Sequence, residues 1–273
     1  MRSVSIIGAG ALGRSLAFAL RDGGNLPLSV LSRRSGTASA LARSLGIAVH
    51  GTVKDFRPLS KIVIIAVPDA EIAQVAEQIA GNCGPLKGMV FLHTSGALTS
   101  DELLPLKRKG AAIGSMHPLQ TFSKKKERTD FAEVFCAIEG DADAVKAARA
   151  VSRMIGARHF SIRKRDKIVY HIAAVFASNY LVTLLSVTER LGRSISLNQR
   201  TVRRIIAPLV RRTVENVLHT SPAEALTGPI KRGDGVTVSR HLRALESTKD
   251  LKELLPLYAA LGIETAQLSK RKR

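Results

Sequence analysis

Val4-Ser5-Ile6-Ile7 running into Gly8-Ala9-Gly10-Ala11-Leu12-Gly13 is the stretch that decides the fold. The first four residues read as a short buried strand, and the glycines after them have the spacing G-x-G-x-x-G. Glycine strings are common, so the spacing takes its weight from its setting. A strand precedes it, and an amphipathic run over residues 11–22, closed by Gly23-Gly24, follows it. In that setting Gly8 permits a tight turn, Gly10 lets the backbone approach a pyrophosphate, and Gly13 lets helix and strand pack closely. The free N–H groups and the positive dipole end of the helix then suit an anion. The reading is a Rossmann unit in which Gly8, Ala9, Gly10, Ala11, Leu12 and Gly13 cradle a dinucleotide. A glycine turn with no ligand is the plainer alternative.

The end of the second strand discriminates between dinucleotides. A carboxylate there would bind the ribose 2′-hydroxyl of NAD. This chain has Ser32-Arg33-Arg34-Ser35 instead. Guanidinium groups match the geometry of a phosphate dianion, and no acid is present to repel it. Ser32, Arg33 and Arg34 therefore point to NADP. Val67-Pro68-Asp69 and His93-Thr94-Ser95-Gly96 end later strands on the same carboxyl edge, where open parallel sheets bind ligands. Val67, Pro68, Thr94, Ser95 and Gly96 are expected to flank the ribose and nicotinamide, unless they only terminate their strands.

Outward from the loop, residues 28–31, 62–67, 89–93 and 111–116 read as strands, and residues 37–45, 70–80 and 100–107 as helices between them. That alternation is the signature of βαβ units. Residues 134–139 and 158–162 add two strands around a helix at 141–155, whose first turn Asp141 and Asp143 suit. Beyond Arg163 the apolar spacing is helical throughout, over residues 168–191, 197–220, 238–246 and 250–269. The expected architecture is α/β, a doubly wound, mostly parallel sheet over residues 1–163, followed by an all-α domain over residues 164–273.

Composition narrows the function classes. The 273 residues are 45% hydrophobic and 4% aromatic, with two cysteines and a formal charge of +20. Cys83 and Cys136 have no metal-like spacing, so neither a disulfide framework nor a metal site is expected, and a reducing, cytoplasmic setting is the default. The strand at Val4 leaves no room for a signal peptide. Residues 168–188 lack acidic and basic side chains and match a bilayer span in length. Their interior carries His171, Ser178, Asn179 and Thr183, so they read as the buried central helix of the second domain. The excess charge would attract polyanions or anionic metabolites. Scarce aromatics leave little for stacking bases, which makes nucleic acid the lesser partner.

Three further stretches carry a family resemblance. They are Gly114-Ser115-Met116-His117-Pro118-Leu119-Gln120-Thr121-Phe122, then Tyr170-His171-Ile172-Ala173-Ala174 running on to Ser178-Asn179-Tyr180, then Leu226-Thr227-Gly228-Pro229-Ile230-Lys231-Arg232-Gly233-Asp234. With the glycine loop, they make nearly the whole chain resemble the oxidoreductases that join a Rossmann-like domain to a DUF2520 domain. That family is related to ketopantoate reductases, β-hydroxyacid dehydrogenases and pyrroline-5-carboxylate reductases. The resemblance implies a helical C-terminal domain, similar to that of 6-phosphogluconate dehydrogenases, that packs on the Rossmann domain and forms a homodimer. In the related enzymes a Lys and an Asn one turn apart serve the equivalent helix. This chain departs from that, because no Lys follows Lys167 and Val175 stands one turn before Asn179.

The chemistry of these stretches leaves alternatives open. His117 follows a strand at the carboxyl edge and can donate a proton near neutral pH, or it can be a turn residue locked by Pro118. His171 and Ser178 fall two helical turns apart on one face, with Asn179 beside them. Such polar groups need partners, either a substrate or a core hydrogen-bond network. Thr227, Gly228 and Lys231 sit in a glycine-punctuated loop that could hold an anionic substrate, or could simply connect helices.

The leading reading is an NADP-dependent reductase of a small carbonyl (a 2-oxo or 3-oxo acid, ketopantoate-like) or imine held in an interdomain cleft. His117 or His171 would be the acid, Asn179 would orient the substrate, and Ser178, Thr227, Gly228 and Lys231 would bind it. The alternative is a non-catalytic NADP-binding sensor that touches nucleic acid through its basic surface. A membrane-associated reductase using residues 168–188 is the third reading.

Overall fold

The computed structural model describes residues 4–25, 29–32, 35–47, 50–51, 53, 56, 60–122 and 129–270. They form two compact units, Met1–Asn179 and Tyr180–Arg273. The first is built on eight strands: β1 (Val4–Ile7), β2 (Ser29–Leu31), β3 (His50–Gly51), β4 (Ile62–Ile65), β5 (Val90–His93), β6 (Ala112–Pro118), β7 (Phe135–Gly140) and β8 (Arg158–Ser161). Their order is β3-β2-β1-β4-β5-β6-β7-β8. All neighbours are parallel except β6 and β7, which run antiparallel.

Both faces of this sheet are covered, which explains why β1 and β4 are apolar almost without alternation. Ile6, Ile64, Leu92 and Met116 point to one face and pack with Leu16 and Leu20 of α1 (Ala11–Asp22), Leu41 of α2 (Ser35–Leu45) and Val151 of α5 (Ala142–Met154). Ile7, Val63, Ile65, Phe91 and Ile113 point to the other, against Ile72 and Ile79 of α3 (Ile72–Asn82) and Leu106 of α4 (Leu104–Arg108). The doubly wound, mostly parallel sheet expected from the sequence is thus present. The short β3 had no pattern long enough to reveal it.

The antiparallel β7 has a consequence at the edge. β5 pairs with β6 only as far as His93 opposite Ser115. β7 carries β6 further, through Met116, His117 and Pro118, paired with Ile138, Ala137 and Cys136. His117 is therefore a residue of the strand itself, not of a loop beyond it as the sequence suggested.

The second expectation that changes is the long helix. It consists of α6 (Lys167–Val175), one π-helical turn over Phe176–Tyr180, and α7 (Leu181–Ser194). The boundary between the two units falls after Asn179, inside this helix. The wide π turn also breaks the count of two α-helical turns from His171 to Ser178. Nor is the helix buried. Lys164–Ser194 is the one helix, among the described residues, long and apolar enough to cross a membrane by length and composition. Its Val169, Phe176 and Val182 are 65%, 64% and 66% exposed.

The second unit is helical: α7, α8 (Gln199–His219), α9 (Pro222–Ala225), α10 (Pro229–Arg232), α11 (Gly235–Ser247) and α12 (Leu255–Lys270). Gly192 brings α7 against α8, since a Cβ there would lie 2.2 Å from the Cγ2 of Val202. Leu245, Leu251 and Leu254 form the small core.

Candidate active site

The glycine loop is tied down by backbone hydrogen bonds on both sides. Gly8 N donates to Leu31 O at 2.7 Å, and Ala66 N donates to Ile7 O at 2.7 Å. Gly8 has φ +112°, and a Cβ on it would meet Ala66 O at 2.2 Å. A Cβ on Gly13 would meet Gly8 O at 1.9 Å. Gly10 differs: a Cβ there would meet nothing within 4 Å. Gly10 is the N-cap of α1, with no side-chain cap and no acid in the first turn. Its emptiness serves an approaching ligand, whereas Gly8 and Gly13 serve the turn itself. The open space and uncapped N–H groups fit the pyrophosphate of a dinucleotide. Ala9 is buried and Ala11 and Leu12 are half-buried beside them. Ser32, just after β2, is buried, while Arg33 and Arg34 lie outside the described residues.

At the ends of β5 and β6 stands a second, polar cluster. Ser95 is its hub, and each of its polar groups is engaged. Its N–H donates to His93 Nδ1 at 3.1 Å, and its Oγ donates to Asp69 Oδ2 at 2.7 Å while accepting from Leu98 N at 3.0 Å. Its carbonyl accepts from Lys167 Nζ at 3.1 Å and Ser115 Oγ at 3.3 Å. His93 Nε2 lies 3.0 Å from Thr99 O, and a carbonyl can only accept, so this ring is the Nε2–H tautomer with both nitrogens used by backbone. Burial, then the Lys167 charge, pushes His93 down to about 3. It is a structural imidazole.

Lys167 is 1% exposed and stands 3.4 Å from Glu139, itself 4% exposed. Glu139 accepts from Ser100 N at 2.8 Å and Ser100 Oγ at 2.9 Å, and Lys167 also donates to Ser115 Oγ in a very short contact. Burial lowers Lys167 below its ordinary value, and Glu139 pulls it back. The placement follows from two periodicities. Ser115 and His117 share one face of β6, with Glu139 beside Ser115 in register, and Lys167, Tyr170 and His171 share one face of α6 at i, i+3, i+4.

That matching of faces sets His117 Nδ1 2.8 Å from Tyr170 Oη, ring edge to face. The His171 ring is 6.2 Å away, centre to centre. Gly96 closes over both: a Cβ there would lie 2.9 Å from His117 Nε2 and 2.9 Å from His171 Nδ1. Burial, then Lys167, pushes His117 down to about 4. At neutral pH it is uncharged, a hydrogen-bond donor of the neutral kind.

The structure thus brings His117, His171, Ser95 and Gly96 together. It adds Lys167, Glu139, Tyr170 and Asp69, which sequence reasoning missed. Starting the helix at Ile168 hid Lys167, although a lone Glu in the apolar strand Phe135–Gly140 signalled a buried cation. Thr94 and Ser95 are buried at this edge. Val67 is half-buried and Pro68 exposed at the end of β4. Ser178 and Asn179 lie in the π turn. Thr227, Gly228 and Lys231 belong to the second unit. There Gly228 and Gly233 have φ +100° and +70°, Lys231 Nζ is 3.4 Å from Ser269 O, and Asp234 caps α11 through Thr237.

A glycine loop at β1 and a polar cluster at β5 and β6 define a Rossmann-type protein with a helical second unit. The chain belongs to the family that joins a Rossmann-like domain, matched over residues 1–118, to a domain of unknown function, DUF2520, matched over residues 134–265. No curated protein matches it. Among solved structures, a protein of Thermotoga maritima shares 27% identity at TM-score 0.73, with 98% of this chain and 100% of that one covered. A protein of Bacteroides fragilis assigned as an NADP oxidoreductase shares 24% at TM-score 0.80, covering 97% and 98%. An imine reductase of Myxococcus stipitatus, solved with NADP+, shares 17% at TM-score 0.68, covering 97% and 94%. The last two likenesses establish the fold.

Proposed function

We propose that the protein is an NADP-dependent oxidoreductase that reduces a small carbonyl or imine. The observation that carries this reading is a shared edge. The open glycine loop at the end of β1 and the imidazole cluster at the ends of β5 and β6 lie on the carboxyl side of one parallel sheet, where such folds bind ligands. The similarity to NADP-bound imine reductases supports it. The residues fit the cofactor: Gly10 leaves room for the pyrophosphate, and Arg33 and Arg34 suit the 2′-phosphate.

NADPH, when bound, supplies the hydride. The chain's part is to receive the substrate at the edge and to face the reacting oxygen or nitrogen with His117, as a neutral N–H donor, and with His171, which would supply its proton. Lys167 is held by Glu139, Ser115 and the Ser95 carbonyl, so it acts as a support for this edge and not as the acid. Ser178, Asn179, Thr227, Gly228 and Lys231 are the groups proposed to position the substrate. A homodimer completes the reading, because a second copy would cover the exposed Ile168, Val169, Ile172 and Phe176. Sedimentation of wild type against Phe176→Glu checks it; a wild-type monomer would remove the dimer.

The test is a fluorescence titration with NADPH and NADH, alongside Arg33→Ala and Arg34→Ala. NADPH should bind at least about tenfold tighter, with the preference lost in the variants. NADPH consumption is then measured across 2-oxo acids, 3-oxo acids and cyclic imines. Absence of binding to either nucleotide near millimolar concentration would end the reading.

A further inference from the structure

The phenol of Tyr170 and the ring of His117 form a hydrogen-bonded pair. His117 Nδ1 is 2.8 Å from Tyr170 Oη, and Phe160 packs on the tyrosine ring at 5.9 Å between centres. Among the described residues His117 is the phenol oxygen's hydrogen-bond partner, and a phenol that donates to Nδ1 uses its one proton there. A nitrogen that accepts must carry a lone pair, which puts the ring's proton on the other nitrogen. We propose that Tyr170 is a positioning residue that holds His117 as the neutral Nε2–H tautomer, so that the ring offers an N–H donor to the substrate's reacting oxygen or nitrogen. The role of that donor rests on the reductase reading above; the tautomer does not.

The surroundings agree. Burial pushes the Tyr170 phenol up to about 12, so it keeps its proton. The charged and titratable groups facing His117 are Lys167 and His171 from α6, Asp69 from the turn after β4, and His93 from β5; burial leads, and only Asp69 favours a charged ring. Glu139, from β7, is spent on Lys167 and Ser100. Nε2 and His171 Nδ1 both face Gly96, where a Cβ would lie 2.9 Å from each. His171 Nδ1 is buried and has no hydrogen-bond partner among the described residues. A neutral imidazole N–H is a known way to polarise a carbonyl without a charged acid.

The experiment is long-range 1H–15N correlation NMR on histidine-labelled protein at pH 7. His93, fixed as Nε2–H by Thr99 O and Ser95 N–H, serves as the internal reference. His117 is assigned by the loss of its signals in His117→Gln, or by cross-relaxation to Tyr170 if that variant does not fold. The expected pattern is Nε2–H, neutral, for His117, giving way to a tautomer mixture in Tyr170→Phe. An Nδ1–H ring or an imidazolium at pH 7 overturns the proposal, as does an unchanged tautomer in Tyr170→Phe. If Tyr170→Phe does not fold, the wild-type pattern alone decides. Failure of any substrate to consume NADPH would sink the reductase reading and leave this result standing.

Discussion

The ammonium of Lys167 lies 3.1 Å from the backbone carbonyl of Ser95, so a charge on the first turn of α6 is hydrogen-bonded to the turn after β5. With Glu139 at 3.4 Å it forms a buried ion pair that joins helix, strand and turn. Such a pair is weak evidence of stability as a whole, but removing one partner leaves an uncompensated buried charge.

Lys167→Met should therefore cost about 3–5 kcal/mol in urea unfolding. Lys167→Met combined with Glu139→Gln should recover about half of that or more, because the amide still accepts from Ser100. A double variant no more stable than Lys167→Met alone would show that the pair's charge is not what matters.

The three glycines of the loop should separate into two classes. Gly10→Ala should leave the thermal midpoint nearly unchanged while weakening NADPH binding roughly tenfold or more. Gly13→Ala, whose Cβ would stand 1.9 Å from Gly8 O, should cost about 1–3 kcal/mol of stability as well as binding. Calorimetry and nucleotide titration on the two variants check this. Equal loss of stability in both would contradict the geometry.

Gly96→Ala places a methyl 2.8 Å from His117 Cε1 and 2.9 Å from His171 Nδ1. The imidazoles must move, whereas the glycine loop at β1 is untouched. NADPH affinity should stay within about twofold, and reductase activity on any substrate found should fall by roughly a hundredfold, the scale of a misplaced reacting group. Affinity and turnover falling together would argue that Gly96 touches the cofactor.

Acid stability follows from His93 and His117, whose folded values, about 3 and about 4, lie below their ordinary 6.5. Between about pH 4 and 6.5 the unfolded chain takes up protons that these folded rings refuse. Stability present above pH 6.5 should then be lost as pH falls through that window, at about 1.4 kcal/mol per pH unit for each ring. Denaturant midpoints from pH 4.5 to 7.5 test the slope, and His117→Asn should remove about half of it.

Much of the fold was legible because it rests on local rules. Gly8 to Gly13 carry their turn, their close packing and their anion site in spacing alone, and β1, β4 and β5 announce a sheet covered on both faces by being apolar on both. The helical second half was equally plain in its 3.6-residue periodicity. What the tertiary structure decided is where segments far apart in sequence meet. The antiparallel β7 extends β6 past β5 and so turns His117 from an expected loop residue into a strand residue beside Ser115. Lys167 and Glu139 need each other to be buried, and no local pattern pairs two charges 28 residues apart. Tyr170 owes its role to a helix face meeting a strand face, a register set by packing and not by either sequence alone. The long helix shows the reverse limit: its apolar composition suggested burial, yet burial depends on a facing surface, and Val169 and Phe176 stay exposed.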